Sequence, residues 1–223
     1  VCVSSGPVAA GGDGARYLLF GGGDIWRNGD FAYGGLLWSP GGLDREGFTL
    51  KAMSGGLYRY DSGALGNAQV TGRELAAQLL PGWRFKRDQL EVKVFAGLDL
   101  QDHRLSPDDP SSSLRGGSVG ARAAIDLWYE PTPGTMFAAD GSISTIVNSY
   151  SARAAFGWKT FDLFYLGPEA QAFACDGYSQ VRVGMHLTGF KAAGAEWSAA
   201  VGWSNDSDRR DSVYVRVGVL TRR

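Results

Sequence analysis

Apolar and polar side chains alternate with a period of two along much of this chain. Between residues 89 and 104, Leu90, Val92, Val94, Ala96, Leu98 and Leu100 fall on one face, and Glu91, Lys93, Gly97, Asp99 and Gln101 on the other. That spacing is the mark of a strand with a single apolar face. The period returns in Val181, Val183, Met185 and Leu187 against Gln180, Arg182, Gly184, His186 and Thr188. It appears again in Val213, Val215, Val217 and Val219 against Arg216 and Gly218. Applied end to end, it predicts strands near 15–26, 30–39, 45–60, 67–86, 89–104, 115–130, 134–148, 150–159, 162–175, 178–190, 194–204 and 211–222. The expectation is an all-β chain of about twelve antiparallel strands, within two either way (10–14), with no helical segment between them.

Several of these strands exceed the ~5–6 residues usual in soluble sheets and match the ~9–11 tilted residues that cross a bilayer. No run of about 18 apolar residues offers a spanning helix, so a membrane protein of this sequence has to be a barrel. Polar-face chemistry favours that architecture over a soluble sandwich. Near strand middles it carries Lys51, Glu74, Arg84, Glu91, Lys93, Asp99, Arg122, Asp126, Asp140, Arg153, Glu169, Arg182, Glu196 and Arg216, seven acids and seven bases. Gathered in a lumen, these groups can pair and so lower the cost of desolvating each charge. Aromatics assigned to the apolar face collect toward strand ends, as interfacial girdles do: Tyr33 and Trp38, Tyr58 and Tyr60, Trp83 and Phe85, Tyr129, Tyr150, Phe156 and Trp158, Trp197 and Trp203. In a soluble sandwich the same residues would close a core.

Connections alternate in length. Lys86–Gln89, Glu130–Gly134, Lys159–Phe161 and Lys191–Gly194 are short. Asp61–Asn67, Asn205–Arg210 and above all Asp102–Gly117 are longer, and Ser39–Glu46 is long for the short set. Short periplasmic turns opposite longer extracellular loops are the barrel pattern. A Gly/Ala/Ser-rich stretch over 1–14 reads as a flexible leader, leaving 15–223 as one barrel domain. Glycine, 33 of 223 residues, follows no collagen-like period and serves turns and close strand packing.

A formal charge of −1 without blocks of like charge removes nucleic acid as an expected partner. Gly21-Gly22-Gly23 is followed by no Gly-Lys-Ser/Thr and opens no helix, which removes nucleotide binding. Cys2 and Cys175 lack metal-ligand spacing and are too few for a disulfide framework. Acid–base catalysis would have to pass through His103 or His186. His186 and Thr188 share the lumen face with Arg182 and read as polar filling; their spacing resembles the His-x-Ser of a barrel-embedded lipid A deacylase, but that family uses serine and its pair faces lipid. His103 stands with Asp102, Asp108 and Asp109 in the longest loop, where an oxygen-ligated divalent ion is conceivable, yet the adjacent Asp108 and Asp109 lack alternating ligand spacing and fit turn chemistry better. Glu169, Asp99, Glu91 and Glu196 could supply a glycosidase pair, but Arg and Lys around them favour ion pairs over a raised-pKa acid. No catalytic residue, metal site or cofactor is expected.

The segment Gly97-Leu-Asp-Leu-Gln-Asp-His-Arg-Leu-Ser-Pro-Asp-Asp-Pro110, the glycines 116, 117 and 120, and Tyr165-Leu-Gly-Pro-Glu-Ala170 resemble stretches of the alphaproteobacterial BcsS family, outer-membrane proteins linked with cellulose biosynthesis. The resemblance runs over most of the chain from about Tyr17. It implies a single up-and-down transmembrane barrel in the outer membrane of a Gram-negative bacterium, with outer-membrane lipid around it and cellulose-export machinery or polysaccharide as partners. It implies no reaction. One departure from many outer-membrane proteins is the end Gly218-Val-Leu-Thr-Arg-Arg223, which lacks an aromatic assembly signal. The expected function is a non-enzymatic accessory barrel with a narrow, charge-filled lumen; the alternatives are a barrel enzyme acting on lipid A or a glycan, a small pore, and a soluble all-β binding domain.

Overall fold

The computed structural model describes residues 14–27, 29–62, 68–175, 177–207 and 211–223, the side chains of residues 55–69 excepted. The 1–14 leader and Cys2 therefore fall almost wholly outside the described residues, as does most of the 61–67 connection. Twelve strands run β1 Tyr17–Trp26, β2 Gly29–Trp38, β3 Gly47–Ser62, β4 Ala68–Arg87, β5 Leu90–Ser106, β6 Gly116–Thr132, β7 Thr135–Ser144, β8 Ser149–Thr160, β9 Phe164–Cys175, β10 Tyr178–Ala192, β11 Ala195–Asp206 and β12 Asp211–Arg222. Each pairs antiparallel with its chain neighbour, and β1 closes on β12 from Leu18↔Arg222 to Ile25↔Val215. The result is a closed barrel, which leaves no sheet edge exposed. At the seam the amides of Arg16 and Tyr17 both donate to the Arg223 carbonyl, at 2.8 and 2.9 Å.

Both termini thus lie at one end, the terminal end, together with the two-residue turns 88–89, 133–134 and 193–194. The opposite, distal end carries the long connection 107–115. Loop 39–46, long for its end, has a visible use. It folds over the lumen, with the Leu43 amide bonded to the Ala15 carbonyl at 2.7 Å and Arg84 donating to the Leu43 carbonyl. The Leu43 side chain completes a buried cluster with Leu18, Leu37, Leu80 and Phe95.

One strand is shorter than the pattern predicts. β7 stops at Ser144 rather than 148, where Thr145 exchanges hydrogen bonds with Ala121 and a 3-10 turn, Ile146–Asn148, follows. A Cβ on Gly120 would lie 2.6 Å from Ile146 Cγ1. The bare backbone at Gly120 is what lets this turn fold inward and bury Ile146.

Side chains alternate in and out as the period of two requires. Leu75, Leu98, Val119, Ile143, Val181, Val183, Val201 and Val215 all point outward and are exposed. Trp83, Phe85, Tyr129, Phe137, Trp158, Phe161 and Trp197 form an exposed aromatic belt near the terminal end, while Tyr150 and Trp203 stand toward the distal one. Tyr33 corrects the sequence reading, for it points into the barrel. Gly22 and Gly218 make room for it: a Cβ on Gly22 would meet the Tyr33 hydroxyl at 2.6 Å. The side chains of Tyr58 and Tyr60 are outside the described residues. No helix among the described residues is long and apolar enough to cross a membrane.

Candidate functional site: the charged lumen

Each strand sends every second side chain inward, so the lumen gathers the polar faces of most strands, while β2 sends in Phe31, Tyr33 and Leu37. Lys51, Glu74, Arg84, Glu91, Lys93, Asp99, Arg122, Asp126, Asp140, Arg153, Glu169, Arg182, Glu196 and Arg216 are all buried there. Their ion pairs connect neighbouring strands and also cross the barrel. Lys51 on β3 meets Asp126 on β6 at 3.3 Å, Glu169 on β9 meets Arg216 on β12 at 2.5 Å, and Asp24 on β1 meets Arg182 on β10 at 2.5 Å. Each of these three pairs joins walls three strands apart.

Glu169 is the busiest anion. It accepts from Arg153 at 2.9 Å, from Arg216, and from the Tyr214 hydroxyl at 2.8 Å, while Arg153 also approaches Asp140 at 3.5 Å. Asp99 accepts from Arg122 at 2.7 Å, Ser144 at 2.6 Å and Gln101 at 3.1 Å. Glu91 sits between Lys93, at 2.6 Å, and Arg84, at 3.7 Å, and Glu196 takes Arg222 at 3.1 Å. Every carboxylate of the candidate glycosidase set is therefore engaged by a cation or an array of donors. Such groups are held as ion-pair partners and are poorly placed to deliver a proton.

Arg182 shows how the interior accommodates a cation far from water. Its guanidinium carbon lies 4.9 Å from the Trp26 ring, 5.1 Å from Phe173 and 5.0 Å from Tyr214, and Gln180 accepts from its Nε. Aromatic faces and a carboxylate together replace its hydration. Asp24 and these inward aromatics were not among the sequence candidates, although they share parity with inward charges: Trp26 lies two after Asp24, Phe95 two after Lys93, Trp128 two after Asp126 and Tyr214 two before Arg216. Tyr214 fits because Gly184 and Gly202 leave space beside its ring.

His186 is buried, its Nε2 3.1 Å from the Phe156 carbonyl oxygen and its Nδ1 2.9 Å from Thr188 Oγ1. A carbonyl only accepts, so Nε2 carries the proton and, in the neutral ring, the Thr188 hydroxyl donates to Nδ1. Chemically this is a hydroxyl backed by an oriented base, and also a histidine with both nitrogens satisfied. Thr188 lines a cavity of about 60 Å³ with Tyr33, Trp128, Met136, Arg153, Ser198 and Arg216 among others, room for a few waters. A second cavity of about 20 Å³ lies between Lys51, Arg122, Asp126 and Asp140.

The grouping around His103 is divided between strand and loop. β5 continues to Ser106, so His103 is an inward strand residue, 3.1 Å from Gln101 Oε1. Asp102 faces outward and binds Arg104, Asp108 is paired with Arg115, and Asp109 accepts from Ser111 in a local turn. Alternation within the strand separates His103 from Asp102, and loop bonds occupy the other two carboxylates. Among the described residues no cluster of His, Cys, Asp and Glu could hold a metal ion.

A closed twelve-stranded antiparallel barrel, apolar outside and charged inside, is of the outer-membrane type. The chain belongs to the cellulose biosynthesis protein BcsS family, whose model matches residues 18–223. Among solved structures it is similar to the KdgM porin, at TM-score 0.56 and 12% identity over 92% of this chain and 98% of that one. The KdgM porin in complex with disordered oligogalacturonate gives TM-score 0.52 and 14% identity, over 92% and 98%. LpxR from Salmonella typhimurium gives 0.50 and 10%, over 92% and 99%. At these identities the likeness is one of fold alone. A search of curated protein sequences found no match.

Proposed function

We propose that this protein is a non-enzymatic outer-membrane barrel that serves cellulose biosynthesis or export as an accessory component, with a lumen closed to ion flow. The family supports the process, and the trans-barrel ion pairs support the closed lumen. Side chains linked wall to wall and the Leu43 loop over the terminal end narrow the path for a hydrated ion, and the cavities among the described residues include ones of only about 60 and 20 Å³. Lumen charges of both signs, mostly paired, would also give a pore little net field. Purified barrel in planar bilayers should show no steady conductance; large, lasting, ion-selective steps would overturn the closed-lumen reading. In cells, deletion should lower cellulose output, with the protein recovered in the outer-membrane fraction.

One observation favours a second reading, an enzyme acting on lipid A or a glycan: the Thr188 hydroxyl held against His186 at the larger cavity. Lipid A masses unchanged by deletion would remove its lipid branch.

A further inference from the structure

On the outer wall of β4 and β5 the apolar band ends abruptly. Outward positions on β4 run Phe85, Trp83, Leu79 and Leu75, and those on β5 run Val92 to Leu100; the next outward residues are Arg73 on β4 and Asp102 and Arg104 on β5. From Trp83 to Leu75 is about 27 Å along the strand at ~3.4 Å per residue, or roughly 20 Å along the normal at the usual tilt. That is close to the ~25 Å apolar belt of outer-membrane barrels. Arg73 and Arg104 therefore stand at the distal edge of the belt, and the register places them directly opposite each other.

Like charges so placed repel, a cost with no return inside the barrel. Both arginines are exposed. Asp102 accepts from Arg104 Nε at 3.2 Å, which leaves the two Nη groups, the forked edge that binds phosphate, turned to other partners. Among the described side chains here, two cations and one anion leave a net positive spot. Among the described residues, the other outward strand positions on this rim are uncharged or acidic, as at Gly117, Ile143, Val181, Asn205 and Asp211.

We propose that Arg73 and Arg104 form a clamp for the phosphate groups of a phosphorylated glycolipid in the outer leaflet. The clamp rests on the outer-membrane reading, with the distal end facing outward. The test is native mass spectrometry of detergent-purified wild type, R73Q/R104Q and R104K with bis-phosphorylated lipid A, dephosphorylated lipid A and inorganic phosphate, with heat-modifiable gel mobility confirming that each variant is folded. Wild type should hold phosphorylated lipid A at least ~10-fold more tightly than R73Q/R104Q, consistent with the loss of charge-assisted bonds, and R104K should fall between. Equal binding by wild type and double variant, or equal binding of dephosphorylated lipid A, would overturn the clamp. Displacement by inorganic phosphate at equal concentration would overturn the glycolipid assignment. A heat-shifting barrel that fails these tests loses only the clamp, whereas a chain soluble without detergent and showing no shift loses the outer-membrane reading as well.

Discussion

Asp24 and Arg182 meet at 2.5 Å inside the barrel, and Asp108 and Arg115 meet at the same 2.5 Å on the long distal loop. The inner pair's side chains are 1% exposed each; those of the outer pair are 52% and 56% exposed. On the loop, water screens both charges and either can lose its partner at little cost. Inside the barrel the Asp24–Arg182 pair is shut off from solvent, and each charge depends on the other, with Gln180 and three aromatic rings around Arg182. Equal distances therefore carry unequal consequences, and what differs is the medium around them. A buried pair contributes little net stability compared with apolar residues of the same shape, but breaking it by removing one partner is costly.

The sharpest way to break this comparison is Glu169→Ala, which strips Arg153, Arg216 and Tyr214 of their shared acceptor. Loss of about 3–5 kcal/mol is expected in urea unfolding from detergent, with little relief from added salt. Asp24→Ala should come next, since the aromatic faces around Arg182 soften the loss. The double variant D24L/R182M should recover most of it, and a double variant worse than Asp24→Ala alone would show that the pair itself stabilises. Tyr214→Phe removes one hydrogen bond to a carboxylate and should cost about 1.5–3 kcal/mol by the same measurement. Arg115→Ala, the exposed counterpart, should stay within about 1 kcal/mol and lose even that effect in high salt. A cost for Arg115→Ala equal to that for Glu169→Ala would defeat the argument from burial.

The period of two was enough to place the twelve strands, because a one-residue slip would turn every side chain to the wrong face. It also assigned the inward charges. The same parity places the aromatics: Tyr33, five residues from Trp38, lies on the opposite face from it, and Phe95 and Trp128 share the parity of the inward charges around them. Asp24 was hidden by the glycines before it, which carry no alternation to read. His103 was read as a loop residue because Asp102 and Arg104 on either side are polar, whereas the strand there has one charged outer face and one polar inner face.

By itself the sequence determined the strand count to within two, the parity of most side chains and the all-β barrel, since alternation and turn residues are local properties written in chain order; the family rests on the short segments 97–110 and 165–170 that resemble it. Tertiary structure alone decided that Asp24 would find Arg182, Lys51 find Asp126 and Glu169 find Arg216. It also set Leu43 over the lumen. Those meetings depend on how the register staggers around a closed circle, and the stagger is fixed only when β1 pairs with β12 and every interior side chain must share the same narrow space.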